Sequence, residues 1–211
     1  MEDVSQIRKD YKKFKLDIES TSDNPFEQFN KWMDDALNGG FLEPTAFVLS
    51  TVSIDNKPSS RVLLLKGIEP DGYIFYTNYE SRKGNELKHN NNAAMLFFWD
   101  KFERQVRIEG KIEKINREQS QKYFNSRPYT SQIGAWASEQ SKELKSRFTL
   151  LRRAAQYMLK FKNQVPLPDF WGGYKLFPDR FEFWQGRESR MHDRIVYLIE
   201  NGKWYKKRLY P

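Results

Sequence analysis

Apolar and polar positions divide the chain into clear elements. In "NPFEQFNKWMDDALNGG", Phe26, Phe29, Met33, Ala36 and Leu37 recur at helical spacing. Pro25 suits the first helical position, and Gly39 and Gly40 end the run. Strand patterns follow. "TAFVLSTVSI", "SSRVLLLKG" and "YIFYTN" are rich in β-branched and aromatic residues. "DNKP" and "PDG" turns separate them, which predicts an antiparallel meander. Ser81 is placed to cap a short helix over "SRKGNELKHN". "AAMLFFW" and "RQVRIEGKIEKI" read as further strands; in the second, Val106, Ile108 and Ile112 alternate with Gln105, Arg107, Glu109 and Lys111. Two helices are predicted next, "REQSQKYFNSR", stopped by Pro128, and a longer one over residues 139–162. "GYKLF", "RFEFWQG", "IVYLIE" and "KWYKKRLY" return to strands, the last two joined by an Asn201-Gly202 hairpin turn.

Residues 1–22 are charged, with weak helical spacing at Val4, Ile7 and Tyr11, and read as an arm that is at least partly mobile. Residues 23–211 hold no repeat and no low-complexity linker, so a single domain is expected. Strands on both sides of a helical middle predict a mainly β, α+β fold: a closed antiparallel barrel with helices packed around it.

Composition narrows the chemistry. The 211 residues include no cysteine, which excludes disulfides, thiolate metal sites and thiol nucleophiles. With two histidines, a catalytic zinc site is not expected, and no metal is assigned. No stretch reads as a signal peptide or membrane span, so a cytoplasmic protein without a membrane partner is expected. The net charge of +8, from 36 basic and 28 acidic residues, would suit a nucleic-acid partner only if concentrated. Here the basic residues are interleaved with acids, and no nucleic acid is expected.

Four stretches can carry chemistry. In "YTNYESRKGNEL", Tyr76 and Thr77 end a strand, and Arg82 and Lys83 sit in the first turn of the Ser81-capped helix. Cations there oppose the helix dipole. Either they are solvated, or an anion bound at the helix start relieves the conflict. In "QKYFNSRPYTSQIGAWASEQS", Tyr123 and Arg127 share a helix face, and Ser131 lies just beyond Pro128. A phenol, a guanidinium and a hydroxyl make a small phosphate pocket, or Tyr123 is core and Arg127 complements the helix end. In "RVLLLK", Arg61 and Lys66 fall on opposite faces by alternation, so they suit two ligands or a strand end. In "WQGRESRMHDR", Trp184 can present a flat face, and Arg190 and His192 point the same way in extended chain. His89, at a polar helix end, reads as structural. The Rossmann, P-loop and G-x-S-x-G signatures are all missing. Several phosphate-competent sites without an evident acid, base or nucleophile point to a cofactor that brings its own reactivity.

Six strings, "RVLLLK", "FYTNYESRKGNEL", "ERQVRIEG", "YFNSRPYTSQIGAWASEQS", "VPLPDFWGGY" and "FWQGRESRMHDR", occur in the order seen in one family. Along nearly its whole length the chain resembles the pyridoxine/pyridoxamine 5′-phosphate oxidases. The resemblance implies a homodimeric split barrel of the FMN-binding type. It implies oxidation of pyridoxine or pyridoxamine 5′-phosphate to pyridoxal 5′-phosphate by hydride transfer to FMN, with O2 reoxidising the flavin to H2O2. It assigns Arg61, Val62, Leu63, Leu64, Leu65, Lys66, Tyr76, Thr77, Arg82, Lys83, Gln105, Gln140, Ser141, Trp184 and Arg194 to FMN, some of them from the partner subunit. Lys66, Tyr123, Arg127 and Ser131 are implied to hold the substrate phosphate. Arg190 and His192 are implied to be catalytic, over the substrate ring with Met191. Arg8, Lys9, Asp10 and Tyr11 match a segment that can cover the site. Met191 stands where the family pattern has Leu, and Arg187 where it has Gly. The rivals are a non-catalytic flavin- or haem-binding split barrel, which need not keep Tyr123, Arg127, Arg190 and His192 together, and a basic RNA-binding module.

Overall fold

The computed structural model describes residues 3–6, 10–162 and 164–211. These form five α-helices and nine strands in one antiparallel sheet. Helix α1 (Pro25–Asn38) begins where the Asn24 side chain accepts a hydrogen bond from the Phe26 N–H. It buries Phe29, Trp32, Met33 and Ala36, whereas Leu37, expected on the same face, is 53% exposed. The stripe is therefore narrower than the sequence spacing implies.

Strands β1 (Ala46–Val52) and β2 (Pro58–Leu64) form a hairpin, and β3 (Gly67–Glu69) pairs with β4 (Gly72–Asn78). The expected simple meander ends there. Strand β1 also pairs with β5 (Asn92–Trp99), next to β6 (Arg104–Lys114), while β4 pairs across the sheet with β7 (Trp171–Gln185). The order β2-β1-β5-β6-β7-β4-β3 leaves β2 and β3 unpaired with each other among the described residues. The barrel is split rather than closed. Strands β8 (Asp193–Glu200) and β9 (Lys203–Leu209) extend from the far half of β7. The two short runs expected at 173–186 are one strand, which accommodates Pro178 at a register shift opposite Glu109 and Gly110.

Helix α2 (Arg82–His89) joins β4 to β5, and α3 (Arg117–Ser126), α4 (Tyr129–Ala137) and α5 (Arg147–Phe161) lie between β6 and β7. The helix expected over 139–162 starts only at Arg147. Ser141 has φ 74°, and the polar run before Ser146 offers only Leu144, itself 50% exposed, as an apolar contact. Ser146 then caps α5 by accepting from the Thr149 N–H. The split gives two cores. Aromatics of α1, β4, β5 and β7 fill the barrel, among them Phe29, Tyr73, Phe97, Phe181 and Phe183. A smaller cluster joins α3 and α4 to the start of β7 through Phe124, Ile133, Val165, Leu167 and Trp171. From the N-terminal arm, Leu16 enters the barrel core.

Candidate active site

A cavity of about 530 Å³ opens between the smaller cluster and the ends of β2 and β4. It gathers ten of the expected site residues: Val62, Leu63, Leu64, Lys66, Tyr76, Thr77, Tyr123, Arg127, Ser131 and Gln140. Local sequence explains much of this. Phe124 anchors α3 in the small core, which leaves Tyr123 and Arg127 on the side facing the cavity. Pro128 breaks the helix, and α4 restarts at once, bringing Ser131 into its first turn. Tyr76 and Tyr123 stack at 3.8 Å, and Tyr76 stacks on Trp171 at 5.6 Å. The Arg127 guanidinium lies 4.7 Å from the Trp171 ring, a cation–π contact. Its Nη1 is buried without a hydrogen-bond partner among the described residues. Burial pushes the Arg127 pKa down and that of the Tyr123 phenol up; each ionised group opposes the effect on the other. An orphaned guanidinium nitrogen in a cavity lined also by a hydroxyl and an amine is suited to an anion.

The second group adjoins the cavity at the start of α2. The Lys83 amine is 6% exposed and donates to Thr77 Oγ1 at 3.1 Å, Ser81 Oγ at 3.3 Å and Gln140 Oε1 at 3.1 Å. Burial first, and then the Arg61 charge, depress its pKa to about 8, while Glu86 opposes the shift. Arg61 does not line the cavity. Its guanidinium reaches the other side of β2 and meets Thr51, Ser59 and Glu86. Arg82 pairs with Glu86 at 2.9 Å. Against burial, which raises it, hydrogen bonds from Thr51, Ser59, Arg82 and Arg61 hold the Glu86 carboxyl down at about 2. Sequence reasoning missed Glu86, although its i,i+4 relation to Arg82 was readable. It also missed Trp171 and Asn78 in the cavity wall. Leu65 is a core side chain, and Ser141 lines a separate hollow beside α5.

The remaining expected residues lie at the other end of β7. Trp171 and Trp184 are thirteen residues apart on that strand, roughly 40 Å at the usual rise. Trp184 faces Gln105 of β6 on one side and Arg194 of β8 on the other. The His192 ring is 4.7 Å from Trp184, and Tyr11 packs edge-on against both. His192 Nδ1 accepts from the Arg187 backbone N–H at 3.0 Å, so a neutral ring presents Nε2–H. Ser189 and Arg190 take left-handed φ values of 55° and 61°, and Met191 is 69% exposed. Arg194 donates Nε to Glu182 Oε1 at 2.9 Å, with Nη2 also 2.9 Å from that oxygen, and donates Nη1 to the Tyr210 carbonyl. Glu182, 2% exposed, also pairs with Arg107 and Arg180. Asp10 is exposed, and the expected Arg8 and Lys9 lie outside the described residues.

An antiparallel split barrel with a phosphate-type cavity at one sheet end defines the class of protein. A family model described as pyridoxamine 5′-phosphate oxidase matches residues 33–161. A second, described as the pyridoxine 5′-phosphate oxidase C-terminal dimerisation region, matches 171–211. The chain belongs to the pyridoxamine 5′-phosphate oxidase family. It is 50% identical over 209 residues to the pyridoxine/pyridoxamine 5′-phosphate oxidase of Actinobacillus pleuropneumoniae, covering 99% of this chain and all of the relative. It is 51% identical to the protein of that name from Cytophaga hutchinsonii, covering 99% and 98%. Among solved structures, PhzG from Burkholderia lata 383, in complex with tetrahydrophenazine-1-carboxylic acid, aligns with a TM-score of 0.87 at 30% identity, covering 92% of this chain and 95% of that one. An FMN-binding protein of Nostoc punctiforme shares the fold, with a TM-score of 0.70 at 14% identity. No helix among the described residues is long and apolar enough to cross a membrane.

Proposed function

We propose that the protein oxidises pyridoxine 5′-phosphate and pyridoxamine 5′-phosphate to pyridoxal 5′-phosphate, as a cytoplasmic FMN-dependent homodimer. The observation that carries this is the cavity in which Lys66, Tyr123, Arg127 and Ser131 converge, with Arg127 Nη1 buried and unpartnered. Those four hold the substrate phosphate. The donor set at the start of α2 fits the phosphate of FMN: Arg61, Arg82 and the Lys83 amine surround a helix N-terminus. When bound, FMN supplies the hydride acceptor, and O2 restores it with release of H2O2. Val62 to Lys66, Tyr76, Thr77 and Gln140 line the space beside it. Trp184, Gln105 and Arg194 of the second copy flank the flavin, and Arg190 and His192 of that copy cover the substrate ring. Arg190 carries positive charge to the leaving hydride, and the neutral His192 offers an N–H donor. The chain's main work is to hold two phosphates so that the two rings stack.

Purified protein should be yellow, and pyridoxamine 5′-phosphate added without oxygen should bleach it. Air should then restore the colour with formation of the aldehyde product. A yellow protein that pyridoxamine 5′-phosphate cannot bleach is a flavin carrier rather than this oxidase.

A further inference from the structure

We propose that Glu86 is a positioning residue for the cofactor phosphate: its buried carboxylate holds the Arg61 and Arg82 guanidiniums together at the N-terminus of α2. The inference rests on the FMN reading and adds a residue to it. Glu86 Oε1 takes Arg82 Nε at 2.9 Å; Oε2 takes Arg61 Nη2 at 3.1 Å, Thr51 Oγ1 at 2.5 Å and Ser59 Oγ at 2.7 Å. With the side chain 5% exposed, the carboxylate is fixed by β1 and β2 as well as by its own helix. Arg61 comes from a strand and Arg82 from a helix 21 residues later, and this carboxylate is what ties their positions together.

Charge gives the second reason. Arg61, Arg82 and Lys83 sum to +3 and Glu86 contributes −1, a net +2 that matches a phosphate monoester of about −1.5 to −2. The groups facing Lys83 are Arg61 from β2, Glu86 from its own helix, Ser81 at the helix cap, Thr77 from β4 and Gln140 from the loop after α4. Glu86 is the acid among them. Without it the three cations repel one another, the two arginines lose their common anchor, and the Lys83 amine sheds its proton at lower pH. Arg82 uses only Nε on Glu86, which leaves its Nη1 and Nη2 to meet a ligand. The cost of arranging the fork is met before the phosphate arrives.

The test compares FMN with riboflavin, which lacks the phosphate. Full-length wild type, Glu86→Ala and Glu86→Gln are loaded with each flavin. Release on dilution is then followed by recovery of flavin fluorescence, from about pH 6 to about pH 10, a span that brackets the Lys83 titration. In Glu86→Ala, FMN affinity should fall about tenfold or more, the scale of one charge-assisted hydrogen bond, while riboflavin affinity changes less than about twofold. FMN affinity weakens as pH rises through the Lys83 pKa, and in both variants that weakening should begin at lower pH. Glu86→Gln keeps an acceptor oxygen without the charge, so its affinity should lie between wild type and Glu86→Ala. Equal losses for FMN and riboflavin, tighter FMN binding in either variant, or an unmoved alkaline limb would each overturn the proposal. If wild type itself retains neither flavin, the FMN reading fails; if all three proteins retain FMN alike, Glu86 alone has been misread.

Discussion

The two ends of β7 carry opposite kinds of surface. At the Trp171 end, a small core of its own supports a concave wall that gathers Lys66, Tyr123, Arg127 and Ser131. At the Trp184 end, His192 and Tyr11 pack on the indole, but the loop beyond is a rim: two residues have left-handed φ and Met191 points to solvent. A catalytic group on a rim acts only if something faces it. One copy thus has the cavity without the side chains proposed to cover the ring, and those side chains without a cavity. A two-fold pairing that sets the rim of one copy over the cavity of the other completes both sites at once. Both ends nevertheless share a device. A buried carboxylate, Glu86 at one and Glu182 at the other, gathers arginines expected to face the flavin.

The largest effect should come from the rim's carboxylate. Glu182 is 2% exposed and meets Arg107, Arg180 and Arg194, so Glu182→Ala removes the carboxylate that three guanidiniums share. Breaking a buried pair from one side costs about 3–5 kcal/mol, and because the three arginines are partly exposed, urea denaturation should show a loss toward the lower end of that scale. Arg127→Ala, which removes a guanidinium with an orphaned nitrogen, should cost far less. A reversed ranking would mean that the pocket end, not the rim, depends on its ion pairs for stability.

Next comes activity. Arg190→Ala removes positive charge from the reacting centre and should lower turnover about 10²–10³-fold, the usual scale for one electrostatic stabiliser. If the two ends meet only across subunits, mixing and reassociating Arg190→Ala with Arg127→Ala restores one intact site in each mixed dimer. At a pyridoxamine 5′-phosphate concentration that fills the wild-type pocket but not the Arg127→Ala one, random pairing then yields about a quarter of wild-type turnover, since half the dimers are mixed and each has one good site. No recovery in mixed dimers shown to have formed would place both ends in the same subunit's site.

Smaller again is the pocket's own contribution. A charge-assisted hydrogen bond contributes about 1.5–3 kcal/mol, so Arg127→Ala should weaken pyridoxamine 5′-phosphate about ten- to a hundred-fold or somewhat more. FMN content should be unchanged, and the poor activity on unphosphorylated pyridoxamine should hardly fall. Equal losses on both substrates, or colourless protein, would show that Arg127 serves the flavin instead.

The pocket end was the more legible in sequence because its key relations are local. Tyr123 and Arg127 are four apart, Pro128 stops the helix, and Ser131 follows within a turn. Each step needs only helix geometry. The expected helix over 139–162 failed for a reason also visible locally: before Ser146 the polar run has almost nothing to bury. What stayed hidden is nonlocal. Glu86 meets Arg61 from 25 residues away, and Glu182 meets Arg107 from 75. Neither pairing leaves a periodic trace, since a buried acid in a helix or a strand reads like any outward-facing one. The strand order was hidden likewise: β-branched and aromatic content identified β4, but its place beside β7 depends on the barrel's pairing pattern rather than on its own residues.

The smallest expected effect lies at His192, where the rim's surroundings set a protonation state. Burial first, and then the neighbouring Arg190 charge, push the ring's pKa below its ordinary 6.5; Asp193 opposes them. The Arg187 N–H donated to Nδ1 points the same way, because protonating that nitrogen breaks the bond. The unfolded chain therefore takes up this proton at a higher pH than the folded one. The contribution to stability is fully present above about pH 6.5 and is lost as pH falls through the lower, folded value. Following the ring proton by NMR, with His89 replaced so that one imidazole remains, should give a midpoint below 6.5. Wild type should lose thermal stability between that midpoint and neutrality slightly more than His192→Asn, which has nothing to titrate there. Turnover should fall as pH drops through that midpoint, since protonation of Nδ1 breaks the Arg187 hydrogen bond that orients the ring. A midpoint at or above 6.5 would mean that in solution the Arg187 N–H does not hold Nδ1, and that a carboxylate such as Asp193 governs the ring instead.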